Sequence, residues 1–215
     1  MRNEVRELLA RRDLPSLQAL AAQDRRTLSA LLPFTYQPDG LLRWRAVEAI
    51  GLVAGTIADR DPEFVRGFVR RFLWSLSDES GAVGWSAPEA VGEIVANRPA
   101  LFADYAPIVM SLFDTLEEDY FVPGILWALG RIAQADPSLV REAQDCVIAL
   151  LADSTPRVRG LAAWCLGQMC LPEAPEYLQS LFEDEHTLAI YEDGNLHTTT
   201  VGHLARRSAE TSQNG

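Results

Sequence analysis

Trp44-Arg-Ala-Val-Glu-Ala-Ile-Gly51, Trp85-Ser-Ala-Pro-Glu-Ala-Val-Gly92, Pro123-Gly-Ile-Leu-Trp-Ala-Leu-Gly130 and Gly160-Leu-Ala-Ala-Trp-Cys-Leu-Gly167 align on their last glycine without a gap. The glycines lie 41, 38 and 37 residues apart, and a weaker echo, Thr200-Val-Gly202-His-Leu-Ala205, follows after another 35. Periods of this size mark stacked helix pairs, since one pair cannot bury its apolar face alone. Counting from the glycine, apolar residues recur at minus five, minus two, minus one and plus two. They are Ala46, Ala49, Ile50 and Val53, then Ala87, Ala90, Val91 and Ile94, then Ile125, Ala128, Leu129 and Ile132, then Ala162, Cys165, Leu166 and Met169. That spacing is one face of a 3.6-residue helix.

Glycine inside a helix costs about 1 kcal/mol against alanine, so four in register predict another backbone in close approach. The second helix of each pair has its own start signal. Asp61-Pro62 and Asp136-Pro137 set a capping carboxylate before a proline whose missing N–H is harmless in the first turn, and Arg98-Pro99 is a version without the capping oxygen. Behind these starts run Phe64, Val65, Phe68, Val69, Phe72 and Leu73, and Leu139, Val140, Ala143, Cys146, Val147, Leu150 and Leu151. Acidic turns follow at Asp78-Glu79, Glu117-Glu118-Asp119, Asp153 and Glu183-Asp184-Glu185. At the N-terminus, Leu14-Pro15 and Leu32-Pro33 are expected to break short helices. Near the C-terminus, Leu188 to Thr198 reads as a β-hairpin turning at Asp193-Gly194. Thr199 or Thr200 would then cap a last helix running through Arg207, with Ser208 to Gly215 frayed.

Composition narrows the function classes. Of 215 residues, 48% are hydrophobic, enough for a buried core, and the formal net charge is -11. Such a surface repels phosphate backbones and disfavours nucleic-acid binding. The arginines at 2, 6, 11, 12, 25 and 26, and again at 66, 70 and 71, read as solvated helix faces. The start of the chain has no apolar signal region and no apolar run reaches 18 residues, so neither a secretory signal nor a membrane span is expected, and a cytoplasmic location follows by default. Cys146, Cys165 and Cys170 fall in apolar segments and are expected to be buried thiols, without metal spacing. His186, His197 and His203 cluster near acidic residues in the C-terminal segment, where surface polarity is the simpler account of them than a metal site.

The Ala-x-x-Ala-[Ile/Val/Leu]-Gly cores followed by Asp-Pro starts resemble bacterial HEAT-like repeat proteins of the type first recognised in phycobilisome bilin lyases. The resemblance covers roughly residues 41 to 185. It implies an all-α fold, a right-handed α-α superhelix or HEAT-like solenoid, with a short N-terminal helical cap and a small C-terminal β-hairpin plus helix cap. One domain is expected, divided into a cap at 1–38, repeats at 39–79, 80–119, 120–154 and 155–185, and a second cap at 186–215. The resemblance implies no catalytic residue and no cofactor.

Positions minus seven, minus three and plus one from each glycine point about 150° away from the core set, at 100° per residue. Among them are Trp44 and Glu48, Trp85, Glu89 and Glu93, Trp127 and Arg131, and Trp164 and Gln168. Stacked repeats would align these into a binding face on which indoles give flat apolar contacts, carboxylates accept hydrogen bonds and Arg131 pairs with an acid. The competing reading packs the same tryptophans against neighbouring helices. Ser77-Asp-Glu-Ser-Gly-Ala-Val-Gly-Trp85 could present backbone N–H groups to an anion, although turn chemistry explains it equally simply. The functional expectation is a non-catalytic scaffold or adaptor for a protein partner. The alternative is a lyase-like or carrier-like protein acting on a planar cofactor such as a tetrapyrrole, which the resemblance to bilin lyases suggests.

Overall fold

All sixteen core positions fixed by the glycine register are buried, none above 1% exposure. The structure, a computed structural model, describes residues 1–36, 40–76, 86–116 and 119–214. The fold is all-α, with one small antiparallel hairpin. By internal contacts the chain forms two compact units, Met1–Phe102 and Ala103–Gly215.

The first unit contains α1 (Arg2–Arg11), α2 (Leu14–Gln23), α3 (Arg26–Thr35), α4 (Leu41–Ala58), α5 (Pro62–Ser75), α6 (Ala87–Asn97) and α7 (Pro99–Phe102). α4 is its hub, packed against α1, α2 and α3, against its partner α5, and against α6. Being flanked this way, α4 is buried almost all round its circumference. Pro15 starts α2 as expected, behind an Asp13 carboxylate that accepts the Ser16 N–H at 3.1 Å. Pro33 departs from expectation, because α3 continues past it to Thr35. So close to the C-terminus, the missing N–H removes a single hydrogen bond and leaves no helix beyond it to kink. The Asp61 cap behaves as its sequence predicts, Oδ1 accepting the Phe64 N–H at 3.1 Å.

The second unit contains α8 (Ala106–Thr115), α9 (Val122–Ala135), α10 (Gln144–Ala149), α11 (Pro156–Gln168), α12 (Ala174–Leu178), strands β1 (Thr187–Glu192) and β2 (Asn195–Thr200), and α13 (Val201–Asn214). Here α11 is the hub, lying between α9 and α13 and carrying β1 against its start. The Asp136 cap accepts the Ser138 N–H at 3.0 Å, but the chain behind it is a 3-10 helix over Pro137–Ala143 before α10 begins. The hairpin turns at Asp193 and Gly194, with φ of 49° and 82°, the left-handed pair that a two-residue turn demands. Thr200 caps α13 by accepting the His203 N–H at 3.1 Å. The expected fraying after Arg207 does not occur, and α13 runs on to Asn214. Tertiary packing holds it there, for Ser208 is buried over Gly167.

The glycines serve the close approach that their register predicts. A Cβ on Gly167 would lie 2.5 Å from Ser208 Cβ and 2.8 Å from its Cα, and one on Gly51 would lie 2.8 Å from the Glu93 carbonyl oxygen. Gly130 differs in what it meets, since its Cβ would strike the six-membered ring of Trp164. The cysteines also depart in part from expectation. Cys165 is buried, and desolvation pushes its thiol well above the usual range, but Cys146 is exposed and Cys170 half-buried. On α10 the inward position is Val147, and the residue before it is turned about 100° toward solvent.

Two outcomes follow from this packing. Gly167→Ala is expected to lower stability in urea unfolding by about 1–3 kcal/mol of overpacking, less the gain in helix propensity; unchanged or raised stability would remove the close approach from the account. The second concerns Asp184. Burial alone would raise its pKa, but hydrogen bonds from Arg159 Nε and Nη2 at 2.9 and 2.7 Å, and from His186, outweigh it and hold the carboxyl below its ordinary value. A lowered folded pKa contributes stability that is present above the ordinary carboxylate range and lost as pH falls through the folded value. Asp184→Asn should therefore unfold at a lower temperature near neutrality, with the gap from the parent protein closing below about pH 4.

Candidate functional site

The row of tryptophans and glutamates is the first candidate, and the structure buries most of it. Trp44, Trp127 and Trp164 are 6%, 4% and 3% exposed, and Glu89 and Glu93 are buried as fully. Glu48, Arg131 and Gln168 are half-buried, while Trp85 lies outside the described residues, as does the rest of the Ser77–Trp85 segment. The outward direction inferred from helical period is thus corrected. α4 and α11 each have helices on both flanks, so about 150° away from their core stripes is still inside the unit.

In the second unit the indole planes of Trp127 and Trp164 stack at 4.8 Å and 11°, and Tyr191 of β1 meets Trp127 edge-on at 6.2 Å. Trp164 in turn sits in the notch left by Gly130. The two indoles fill each other's faces, and no planar ligand fits between them. At the rim, Gln134 Nε2 donates to Gln168 Oε1 at 3.1 Å, and Arg131 Nη1 donates to the Gln134 side-chain oxygen Oε1.

In the first unit the row carries a buried ion pair. Arg43 Nη2 donates to Glu89 Oε1 at 2.5 Å with both side chains about 95% removed from solvent, and its Nε donates to Ser86 Oγ at 2.7 Å. Ser86 passes its own proton to the Thr35 carbonyl at 2.9 Å, and the Arg43 guanidinium lies 4.7 Å over the Trp44 ring. Glu89 Oε2 accepts no hydrogen bond among the described residues. Glu48, one turn along α4 from Trp44, takes a two-pronged bond from Arg12 at 3.0 and 2.7 Å, tying α4 to the N-terminal helices. These carboxylates hold arginines of their own unit. Sequence reasoning missed Arg43 and Ser86, because an arginine at a helix start carries no sign that it will point inward.

Of the large apolar side chains left at the surface, Met1, Tyr36 and Tyr120 lie at the chain start, the end of α3 and a 3-10 turn, and the others lie on second helices. In the first unit Trp74 of α5 is 77% exposed and Leu101 of α7 is exposed too; in the second, Ile108 of α8 and Tyr177 of α12 are exposed. Arg70 and Arg71 flank Trp74 on α5, and both face solvent. Two surface depressions, about 210 Å³ beside Arg25 and Asp61 and about 510 Å³ over residues 183 to 186, are lined by side chains already in ion pairs such as Arg25–Asp61 and Arg159–Asp184. Among the described residues no group of three or more His, Cys, Asp or Glu side chains is placed to hold a metal ion.

Residues 123–169 match the HEAT-like repeat family, and residues 158–184 match the PBS lyase HEAT-like repeat. An uncharacterized protein of Archaeoglobus fulgidus is 37% identical over 122 residues, 55% of this chain and 63% of that protein. The match therefore spans less than two thirds of the relative's own length. Among solved structures, one engineered protein superposes with a TM-score of 0.56 at 16% identity, covering 98% of this chain and 97% of its own. A second engineered protein gives 0.56 at 17% identity, covering 94% of this chain and 54% of its own. At such identities the likeness is one of fold. Residues 123–184 thus match HEAT-like repeat models, and the rest of the chain shares with the engineered proteins an all-helical fold.

The buried pair gives a testable asymmetry. Arg43→Met or Glu89→Leu alone leaves one charge unpaired in the interior, and each is expected to cost about 3–5 kcal/mol. The double variant should cost less than either single change. A strictly additive double-mutant cycle in chemical denaturation would mean that the pair is not sealed from water.

Proposed function

We propose that the protein is a non-catalytic interaction scaffold or adaptor that holds a protein partner on the outer faces of its second helices. The observation that supports this most directly is where the large apolar side chains stay wet. Trp74, the most exposed of them, and Leu101, Ile108 and Tyr177 stand on second helices, with Met1, Tyr36 and Tyr120 exposed elsewhere, whereas the described indoles of the first helices are packed away. An exposed tryptophan beside charged groups is unusual on a soluble surface and suits a contact site. In this reading Trp44, Trp127, Trp164, Glu89 and Glu93 form the internal frame, and Glu48, Arg131 and Gln168 sit at its edge. The match to HEAT-like repeats supports the general role, since stacked helix pairs present extended surfaces. No helix among the described residues is long and apolar enough to cross a membrane.

A planar cofactor such as a tetrapyrrole gains no support from the indole row, in which Trp127 and Trp164 stack on each other and Trp44 lies under the Arg43 guanidinium. The scaffold reading is tested by placing a photo-crosslinking amino acid at positions 74, 108 and 177, with exposed Glu4 as the control site. Discrete protein adducts from one or more of the three positions, and none from the control, are expected. Adducts from the control alone, or from none of the four, would overturn it.

A further inference from the structure

We infer that the exposed face of α5, built from Gly67, Arg70, Arg71 and Trp74, docks an acidic peptide segment of a partner protein, with an apolar side chain beside its carboxylates. The inference rests on the scaffold reading and names the partner chemistry for one of its surfaces. At 100° per residue these four side chains fall within about 100° of arc, and the stretch from Gly67 to Trp74 is about 10 Å long.

Three observations converge on this face. First, Trp74 is 77% exposed, while the other tryptophans among the described residues are 6% exposed or less. Second, Arg70 and Arg71 make no ion pair with any described residue. In the same unit Arg12, Arg25, Arg26 and Arg98 pair with Glu48, Asp61, Asp24 and Asp59, while Arg2, Arg6, Arg11 and Arg60 share the lack of an ion pair but have no exposed indole beside them. On a chain of net charge -11, these two guanidinium groups, Arg71 lying 5.9 Å over the Phe68 ring, stand beside an indole with no counter-charge among the described residues. The neighbouring Glu63 does not supply one, since it lies 3.7 Å from Arg66.

Third, Gly67 has no packing reason to be glycine. A Cβ there would meet only Arg70 Nη2, at 3.8 Å, an ordinary contact, whereas at Gly51, Gly130 and Gly167 it would collide with a neighbour. Glycine in a helix interior is a standing cost. With only the flexible Arg70 side chain over Gly67, a peptide can lie along this face so that both arginines reach its carboxylates while the indole covers an apolar side chain.

A peptide suits this face better than a nucleic acid. Two arginines neutralise about two phosphates, too few to hold a polyanion against the acidic remainder of the surface. A few carboxylates held at close range need no more than two.

The test is fluorescence anisotropy with a fluorescein-labelled peptide of repeated Glu-Glu-Leu, at low and at high salt. Binding that weakens with salt is expected, reduced about tenfold or more by Arg70→Glu with Arg71→Glu and by Trp74→Ala, in line with the weight of such residues in interfaces. Gly67→Ala should weaken binding several-fold while raising the unfolding temperature. The charge-reversed protein should in turn bind a Lys-Lys-Leu peptide, a gain that misfolding cannot imitate. Binding within twofold of the parent in all these variants would overturn the inference, as would no binding at low salt. So would self-association lost in Trp74→Ala, which would assign the face to a second copy, or a single-stranded oligonucleotide that displaces the peptide. Crosslinks from positions 108 or 177 alongside such a failure would leave the scaffold reading standing and remove only this surface.

Discussion

The structure depends on a notch-and-filler contact between successive first helices. Each notch is a glycine, and each filler is a group on the next first helix of the same unit. Glu93 backbone and Cβ lie over Gly51, the Trp164 ring over Gly130, and Ser208 over Gly167. Removing a side chain lets helix axes approach, and the approach recovers in dispersion and apolar burial what glycine loses in helix propensity. The notch also fixes how one pair sits on the next, because only one rotation and one height bring filler and notch together.

That contact explains why the tryptophan and glutamate row lies inside. A first helix has a notch flank and a filler flank, and the row is the filler flank. Trp164 shows both halves at once, with one ring edge in the Gly130 notch and one face on Trp127. In the first unit the corresponding place holds Glu89 and Glu93, and polar groups there require partners. Arg43, Ser86 and the Thr35 carbonyl supply a chain of them. Such a buried network contributes less to stability than an apolar contact of the same size, and it commits the helices to one alignment through its geometry.

With α4 and α11 packed on both flanks, the large apolar side chains left exposed are found mainly on the second helices, each of which buries one stripe. Their inward stripes are conventional: Val65, Phe68, Val69 and Phe72 on α5, and Val140, Ala143, Val147 and Leu151 in the third repeat, are all buried. Their outward faces are free to vary without disturbing the frame. This division of labour fits a scaffold, because partner-binding chemistry can change on one layer while the glycine notches of the other hold the fold.

By itself the sequence determined the repeat length, the identity of the first-helix core, the Asp-Pro helix starts, the Asp193-Gly194 turn and a threonine cap at 199 or 200. Each is a local matter of period, dihedral preference or a hydrogen bond within a few residues. Only the tertiary structure decided which way Trp44, Trp127, Trp164, Glu89 and Glu93 face, that Arg43 is their buried counter-charge, that α13 continues to Asn214, and that Trp74 stands in water. Helical period gives an angle around one axis and says nothing of what stands at that angle. Whether solvent or a second helix occupies it depends on residues roughly 40 positions away in the chain.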